Sequence, residues 1–385
     1  MKVAVAPVML DWACRRGGLD DEVLLRDFPK LPQWKTQEVQ PTLKQLEQFA
    51  QKNHVPLGML FLPSPPVEIV PIHDFRTMQS AEVIEPSRDL LETIYQCQQQ
   101  QDWYGSYLRD SGFEENPFVG VVTLESDVIE VADYIRTVLG FDWKSRQSIS
   151  TWQETLRFLV DRVSGLNILV MVNGIVGGNT HRALDPQEFR GFALVDPVAP
   201  LIFINGKDTK AAQIFTLAHE LAHIWLGAEG VSNLQAIDVN GDQEQIEVWC
   251  NQVAAELLVP IGHLEAEFNR NVGFADELNR LAKVYKVSTL VVLRRLYDLG
   301  VYGYPELKRL YQEKLSTLEG FMGNQSKSSG GDFYRTLVAR KNKYFVRAVV
   351  SSTLEGKTLF RDAFKLLSIK NANTFFELAN QIEEF

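Results

Sequence analysis

The sequence predicts an α+β fold that is predominantly helical and contains one small β-sheet. Three short runs, NILVMVNG, FRGFALVD and PLIFING, lie between residues 167 and 206 and are broken by Gly, Asn, Asp and Pro, as β-strands are. Most other segments repeat apolar residues at helical spacing. We therefore expect a few strands within a mainly helical chain.

The composition limits the class of protein. The chain has 385 residues, 45% of them hydrophobic and 23% charged, so it can form two or three domains with a substantial core. No apolar run approaches the roughly 18 residues of a membrane span. The three cysteines are odd in number and far apart, which argues against a disulfide framework. We expect a cytoplasmic protein without a membrane partner.

Residues 1–66 are predicted to form short helices around LPQWKTQEVQPTLKQLEQFA, residues 31–50. This order resembles the helix-turn-helix of phage-repressor-like regulators. The candidate recognition segment offers Lys35 and Gln37 to phosphates and bases, but it also carries Glu38, where that family usually has a basic residue. Two interpretations stay open: specific DNA binding, or a degenerate helix-turn-helix that holds a protein partner or docks on the rest of the chain.

The segment KDTKAAQIFTLAHELAHIWLG, residues 207–227, is predicted to be one helix that begins after Asp208 as N-cap and ends at Gly227. Residues four apart share a helix face, so His219 and His223 can both turn a nitrogen toward one tetrahedral Zn²⁺. Glu220 then projects beside the metal, where it can deprotonate a water molecule. The alternative is a buried helix with two core histidines and a surface glutamate.

A second helix is predicted in DQEQIEVWCNQVAAELLVP, residues 242–260. Glu247 and Asn251 share a face with Ala254 and Ala255, whose small side chains allow a close approach to the first helix. We expect Glu247 to be the third metal ligand and Asn251 to support the ligands.

Together, RGFALVD, PLIFIN, QIFTLAHELAHIWLG and EVWCNQVAAELLVP resemble, in order and spacing, the ImmA/IrrE family of bacterial and phage metallopeptidases, which have a zincin-like core. The segment LAKVYKVSTLVVLRRLYDLG, residues 281–300, resembles the helix-turn-helix-like helices that follow in that family. The resemblance implies one zinc ion per chain, bound by His219, His223 and Glu247, with Glu220 as general base. It further implies cleavage of a repressor or antitoxin in a stress, phage or toxin-antitoxin system.

These features divide the chain into five predicted segments. They are a helix-turn-helix-like domain over 1–66, a helical connector over 67–165, a zinc metallopeptidase domain over 166–317 with helix-turn-helix-like helices at 275–300, a Gly/Ser-rich linker over 318–332 and a basic module over 333–385.

Two further features of the peptidase domain are candidates for a role at the site. FRGFALVD is a candidate edge strand that pairs with an extended substrate segment. His181 is a candidate to stabilise the oxyanion, with an ordinary polar loop histidine as the alternative.

The C-terminal module is basic, although the whole chain has a net charge of −10. Residues 334–370 hold nine Lys and Arg against two acidic residues, with aromatic residues between them. Such a pattern suits DNA or RNA, and the candidate contacts are Arg340, Lys341, Lys343 and Arg347. The alternative is that the aromatic residues are core and the cations are solvated or docked on the acidic body.

Two classes of function follow. The first is a zinc endopeptidase whose protein substrate is a repressor or antitoxin encoded nearby. The second is a non-catalytic regulator or antitoxin that binds DNA or a cognate toxin and uses zinc as a structural element.

Overall fold

The computed structural model describes residues 2–66, 70–73, 86–232, 245–322 and 332–382, with only the backbone of 315–322. The fold is α+β and predominantly helical, as predicted, with one four-stranded sheet among the described residues. The chain divides into two units, Met1–Val70 with Ile84–Leu91, and Pro71–Val83 with Glu92–Phe385. None of the described helices is long and apolar enough to span a membrane.

The first unit consists of short helices around an aromatic core. Phe49 packs edge-to-face on Phe28 and Trp34, at ring-centroid distances of 5.4 and 6.2 Å. A capping box between Thr42 and Gln45 starts the fourth helix. The helices are α1 (Pro7–Gly17), α2 (Asp21–Asp27), α3 (Leu31–Lys35) and α4 (Leu43–Lys52), followed by a 3₁₀ turn at Leu57–Phe61.

The second unit begins with helices that lead into the sheet. The 23-residue α5 spans Arg88–Asp110, and its residues from Glu92 onward belong to this unit. Three more helices precede the first strand: α6 (Val128–Leu139), α7 (Trp143–Gln147) and α8 (Trp152–Ser164).

The sheet has the strand order β1-β3-β2-β4. Strands β1 and β3 are parallel, whereas β2 runs antiparallel to both β3 and β4. The strands are β1 (Leu169–Asn173), β2 (Gly191–Leu194), β3 (Leu201–Asn205) and β4 (Gly230–Ser232). The three predicted strands are confirmed, and β4 is additional.

Helices cover the sheet and complete the unit. On one face, Ile202 and Ile204 of β3 join the apolar residues of α9 in the main hydrophobic core. The remaining helices are α9 (Lys210–Leu226), α10 (Gln245–Leu258), α11 (Ile261–Glu267), α12 (Phe274–Tyr285), α13 (Thr289–Asp298), α14 (Tyr304–Met322), α15 (Phe333–Lys341), α16 (Lys343–Leu354), α17 (Phe360–Leu367) and α18 (Ala372–Gln381).

Residues 92–165 of the predicted connector, the predicted peptidase domain and the predicted basic module belong to the same unit, whereas residues 67–70 and 84–91 of the connector belong to the first unit. Helix α15 packs against β1 at the edge of the sheet. Asn342, which caps α16, donates a hydrogen bond of 2.7 Å to Ser164 Oγ of α8. Helix α14 reaches Met322, so residues 318–322 of the predicted linker are helical, and residues 323–331 lie outside the described part.

Candidate metal centre

The helix that carries the two histidines lies on the sheet with its N-terminus after β3. Thr209, rather than the predicted Asp208, is the N-cap: its hydroxyl accepts a hydrogen bond from Ala212 N–H at 3.2 Å. Gly227 ends the helix in the left-handed region at φ 74°, as predicted. Both ends of α9 are thus fixed, and the histidines lie in its buried second half.

His219 and His223 lie on the same face of α9, as the four-residue spacing requires. Their Nε2 atoms are 3.0 Å apart, and both side chains are fully buried. Glu247 approaches from α10, with Oε1 3.1 Å from His223 Nε2 and Oε2 3.4 Å from His219 Nε2. One donor atom from each residue lies within 4.8 Å of the others, so the three can hold one metal ion.

The outer nitrogen of each imidazole has an oxygen acceptor. His219 Nδ1 is 3.1 Å from Asn251 Oδ1, and His223 Nδ1 is 3.1 Å from the carbonyl oxygen of Ala228. These acceptors favour the tautomer that carries its proton on Nδ1. The Nε2 lone pairs of both histidines then face the Glu247 carboxylate.

This arrangement fits a cation. Two lone pairs and a carboxylate converge on one buried point, and without a positive charge between them they repel each other. Ligands about 2.0–2.1 Å from a tetrahedral zinc ion are about 3.3 Å apart, which agrees with the separations of 3.0 to 3.4 Å. A tetrahedral ion with three protein ligands keeps one position open, as catalytic zinc does.

Burial and neighbouring groups shift the pKa values of the titratable groups in the cluster. Burial lowers the pKa of His219, so its neutral, metal-binding form is favoured. Burial would raise the pKa of Glu247, but the imidazoles of His219 and His223, when they carry a second proton, outweigh burial and hold that pKa below its usual value. A metal ion supplies the same positive charge to neutral imidazoles and an ionised carboxylate, the forms in which these groups bind metals.

Glu220 lies beside the three residues of the metal cluster and differs from them in its hydrogen bonding. Both of its carboxylate oxygens are buried, and neither makes a hydrogen bond of ordinary distance and angle to a described residue, although the nearby Ser232 side chain acts to lower the pKa of Glu220. Burial, followed by the nearby Glu247 charge, raises the pKa of Glu220 well above 4.5. A buried carboxyl without a partner costs stability, so its presence favours a chemical role over a structural one.

Gly191 makes room for this carboxyl group. A Cβ atom at Gly191 of β2 would lie 2.5 Å from Thr216 Cγ2, 2.8 Å from the Phe203 carbonyl oxygen and 3.1 Å from Glu220 Oε1. Only glycine therefore fits between β2 and α9 at this point. Sequence analysis placed Gly191 in a strand and missed its role, although a glycine inside a strand is itself a sign of a close approach.

The prediction that FRGFALVD, which contains β2, forms an edge strand of the sheet is wrong. β2 lies between β3 and β4, so its main-chain groups are already paired, and β4 is the outermost strand on that side among the described residues. On β4, the N–H of Val231 donates a hydrogen bond of 2.9 Å to the carbonyl oxygen of His73. The next residue, Ser232, lies with its Oγ 3.4 Å from His219 Nε2. Sequence analysis missed Ser232, since no spacing links it to the histidines.

Three arginines hold the C-terminal end of the helix that carries Glu247. Arg136 of α6 donates to the Glu256 carbonyl oxygen at 2.8 Å, and Arg146 of α7 donates to that of Leu258 at 2.7 Å. Arg295 of α13 donates to the Val259 carbonyl oxygen at 3.0 Å and forms an ion pair with the Glu256 carboxylate. These cations satisfy the carbonyl groups that a helix end leaves unpaired.

Comparison with known families supports the peptidase assignment. Residues 165–297 match the Peptidase_M78 family model, described as an IrrE N-terminal-like domain. This match covers the sheet, both helices of the metal cluster and α13, and it supports the resemblance to the ImmA/IrrE family and a metallopeptidase-type role. Residues 343–381 match a model described as a domain of unknown function (DUF8813). No curated protein and no solved structure matches the chain.

His181 has no contact with the metal cluster among the described residues. Its side chain is exposed, and its backbone N–H donates a hydrogen bond of 3.0 Å to Asn179 Oδ1 within a turn. The hydrogen bonds of the cluster go instead to Asn251, Ala228 and Ser232. This geometry favours the alternative of a polar loop histidine.

The candidate nucleic-acid contacts of the N-terminal unit do not lie on a full recognition helix. Helix α3 has only five residues, and its Lys35 forms an ion pair of 2.8 Å with Asp11 of α1. Gln37 is exposed just after the helix, in the left-handed region at φ 62°. The helix-turn-helix interpretation of this unit stays a prediction.

In the C-terminal module, most of the residues predicted as candidate nucleic-acid contacts are instead buried or bonded to other parts of the protein. Lys341 is buried, and Lys343 forms an ion pair of 3.1 Å with Asp161 of α8. Arg347 donates to the Ile382 carbonyl oxygen at 3.4 Å, and Arg340 is partly buried. Phe345 packs edge-to-face on Trp103 at 5.7 Å. These contacts favour the alternative in which the aromatic residues are core and the cations dock on the rest of the chain, rather than an exposed surface for nucleic acid.

Proposed function

We propose that the protein is a zinc-dependent endopeptidase that cleaves a helix-turn-helix repressor or an antitoxin in a regulatory system. The observation that carries this proposal is Glu220, a buried carboxyl that makes no ordinary hydrogen bond to any described residue and lies beside three converging metal donors. The Peptidase_M78 match over the same residues supports it.

The residues suggest a division of labour in peptide hydrolysis. His219, His223 and Glu247 would hold the ion. A zinc ion there supplies a Lewis acid that polarises the peptide carbonyl and lowers the pKa of water toward about 7. Glu220 takes the proton of the attacking water and passes it to the leaving amine, a transfer for which a pKa raised by burial is well suited. Asn251 and the Ala228 carbonyl group orient the imidazoles.

The substrate would bind in an extended conformation along β4. An edge strand offers unpaired main-chain groups to an incoming peptide. Because Val231 N–H already bonds to His73, a substrate that uses this N–H displaces residues 70–73 from the edge. A helix-turn-helix partner must therefore offer a linker or an unfolded segment for cleavage.

The alternative function is a non-catalytic regulator in which the metal only stabilises the fold. It accounts for the three ligands but gives no reason for a carboxyl group buried beside them without a partner. The two functions differ in the effect of Glu220→Gln, which removes the proton acceptor and leaves all three donors in place.

The first test measures zinc per chain in the parent, Glu220→Gln, His223→Ala and Glu247→Ala. We expect about one zinc ion in the parent and in Glu220→Gln, and less than a tenth of that in the two ligand variants. A folded parent that binds no zinc after supplementation contradicts the metal site itself.

The second test identifies cleavage without assuming a substrate. The parent or Glu220→Gln is expressed in a host that carries the genes flanking the protein's own gene, and new protein N-termini are mapped by mass spectrometry. We expect new N-termini in a repressor or antitoxin with the parent and none with Glu220→Gln. If both proteins alter expression equally and generate no new N-termini, the regulator without catalysis is correct.

A further inference from the structure

A second group of polar residues lies on the opposite face of the sheet from the metal cluster. Side chains alternate between the two faces of a strand, so Phe203 points away from α9 while Ile202 and Ile204 pack against it. On the Phe203 side, residues of α5, α15, β1 and β3 line a cavity of about 20 Å³. That volume holds one or two water-sized particles.

The cavity is lined mainly by hydrogen-bonding and cationic groups. Residues that face it are Thr93, Gln96, Cys97 and Gln100 of α5, Met171 and Asn173 of β1, Ile175, Phe203 of β3, and Arg340 and Lys341 of α15. Among these described residues there are two cations and no carboxylate. Two positive charges that line one small cavity repel each other unless an anion lies between them.

Lys341 is the more deeply placed cation. Its relative exposure is 8%, and it forms no hydrogen bond or ion pair with any described residue. Burial lowers its pKa to about 8, so the amine still carries its proton in most molecules at pH 7. A buried ammonium group normally pairs with an anion or a carboxylate.

Among the described residues, no side chain that lines the cavity supplies the missing negative charge. Burial raises the pKa of Cys97 to about 12, so its thiol is neutral at pH 7. Glu92 lies one turn before Gln96 and accepts a hydrogen bond from it at 3.3 Å, but Glu92 is already paired with Arg182 at 2.7 Å. Arg340 adds a second cation, whose pKa burial lowers, and an arginine does not lose its proton in proteins.

We propose that this cavity binds one small monovalent anion, of the size of chloride, held by Lys341 and Arg340 with the amide groups of the lining as additional donors. The ligand neutralises the two cations and joins α15 to α5 and β1. This site is separate from the metal cluster, and the proposal does not depend on peptidase activity. The small volume excludes a polymer such as DNA or RNA as the occupant.

The test is thermal unfolding of the full chain at constant ionic strength, with sodium gluconate replaced stepwise by sodium chloride. Gluconate is too large for the cavity. An anion that binds only the folded state raises Tm, by about 2–4 °C at a tenfold excess over its dissociation constant. We expect this rise in the parent and its loss in Lys341→Met, which keeps the apolar stem and removes the charge.

Lys343→Met is the matched control, since Lys343 lies two residues away and is paired with Asp161 at the surface. It should keep the chloride effect. A Tm that is the same in chloride and gluconate for the parent overturns the proposal, and so does a chloride effect that persists in Lys341→Met. Where Lys341→Met does not fold, bromide-soaked crystals of the parent decide: an anomalous peak in the cavity supports the site, and an empty cavity or ordinary water overturns it.

Discussion

Asn251 Oδ1 lies 3.1 Å from Nδ1 of His219, one turn of α10 beyond Glu247. A single helix therefore provides both a carboxylate that can bind a metal ion and the group that orients an imidazole on the neighbouring helix. Such supporting contacts fix the imidazole tautomer and ring orientation, and their loss weakens metal binding without removing a ligand.

Asn251→Ala should weaken zinc binding by about 10–100-fold, because His219 loses the acceptor that orients its ring. Zinc affinity is measured by competition with a chromogenic chelator. Gln252→Ala is the control, since Gln252 is the next residue on α10 and its side chain is exposed. Equal affinities in the two variants would show that His219 does not need Asn251.

Gly191→Ala should destabilise the protein by about 1–3 kcal/mol, because the added Cβ collides with Thr216 and the Phe203 carbonyl group. It should also reduce any peptidase activity, since the same atom presses on Glu220. Unfolding in urea measures the stability. The comparison is Gly262→Ala, where a Cβ meets nothing within 4 Å and the free energy of unfolding should be unchanged or slightly higher.

Glu220→Gln should leave the metal-free protein at least as stable as the parent, while peptidase activity falls by about 10²–10⁴-fold. The reason is that the parent buries a carboxyl without a hydrogen-bond partner, and the amide has the same shape without the charge. Urea unfolding after chelator treatment tests the stability. A loss of more than about 1 kcal/mol would mean that the carboxylate has a stabilising partner after all.

Glu277→Gln should lower the stability of the protein, in contrast to Glu220→Gln, although both glutamates are buried. Its carboxylate accepts hydrogen bonds from Arg280 at 2.8 Å and from the Asn269 N–H at 2.9 Å, and the contact with Arg280 lowers its pKa below 4.5. We expect a loss of about 1–3 kcal/mol at pH 7.

The pH dependence of the Glu277→Gln effect has a defined sign. A carboxylate with a lowered folded-state pKa contributes stability at pH values above about 4.5, and that contribution is lost as the pH falls through the folded-state pKa. The stability difference between Glu277→Gln and the parent, measured by urea unfolding from pH 7 to pH 3, should therefore shrink below pH 4.5. A difference that is constant over this range contradicts the ion-pair explanation.

The geometry of the metal cluster could be predicted from the sequence because it depends on local periodicity. Residues four apart on α9 must share a face, and a carboxylate and an amide four apart on α10 must do the same. The close approach of the two helices follows from the small Ala254 and Ala255 at their contact, both of which are buried.

The parts that could not be predicted depend on pairing between distant residues. Strand β4 has only three residues, too few for a pattern, and its pairing with β2 decides which strand lies at the edge. The direction in which Lys341 points is likewise set by the packing of α15 on β1, since a lysine in an amphipathic sequence ordinarily indicates a solvated face. The charge pattern of the C-terminal module therefore left open whether its cations face a nucleic acid or the rest of the chain, and only the packing of α15 favours the second.

Two of the three arginines that hold the end of α10 lie outside the part of the chain that matches the peptidase family. Arg136 and Arg146 precede residue 165, where the family match begins. A fragment of 165–297 would contain all three metal donors and Glu220, yet it would leave the carbonyl groups of Glu256 and Leu258 without their charged donors, at about 1–3 kcal/mol for each buried group. If this excised domain were inactive, the loss could come from the missing arginine donors at the end of α10. Its inactivity would therefore not show that the intact protein lacks peptidase activity.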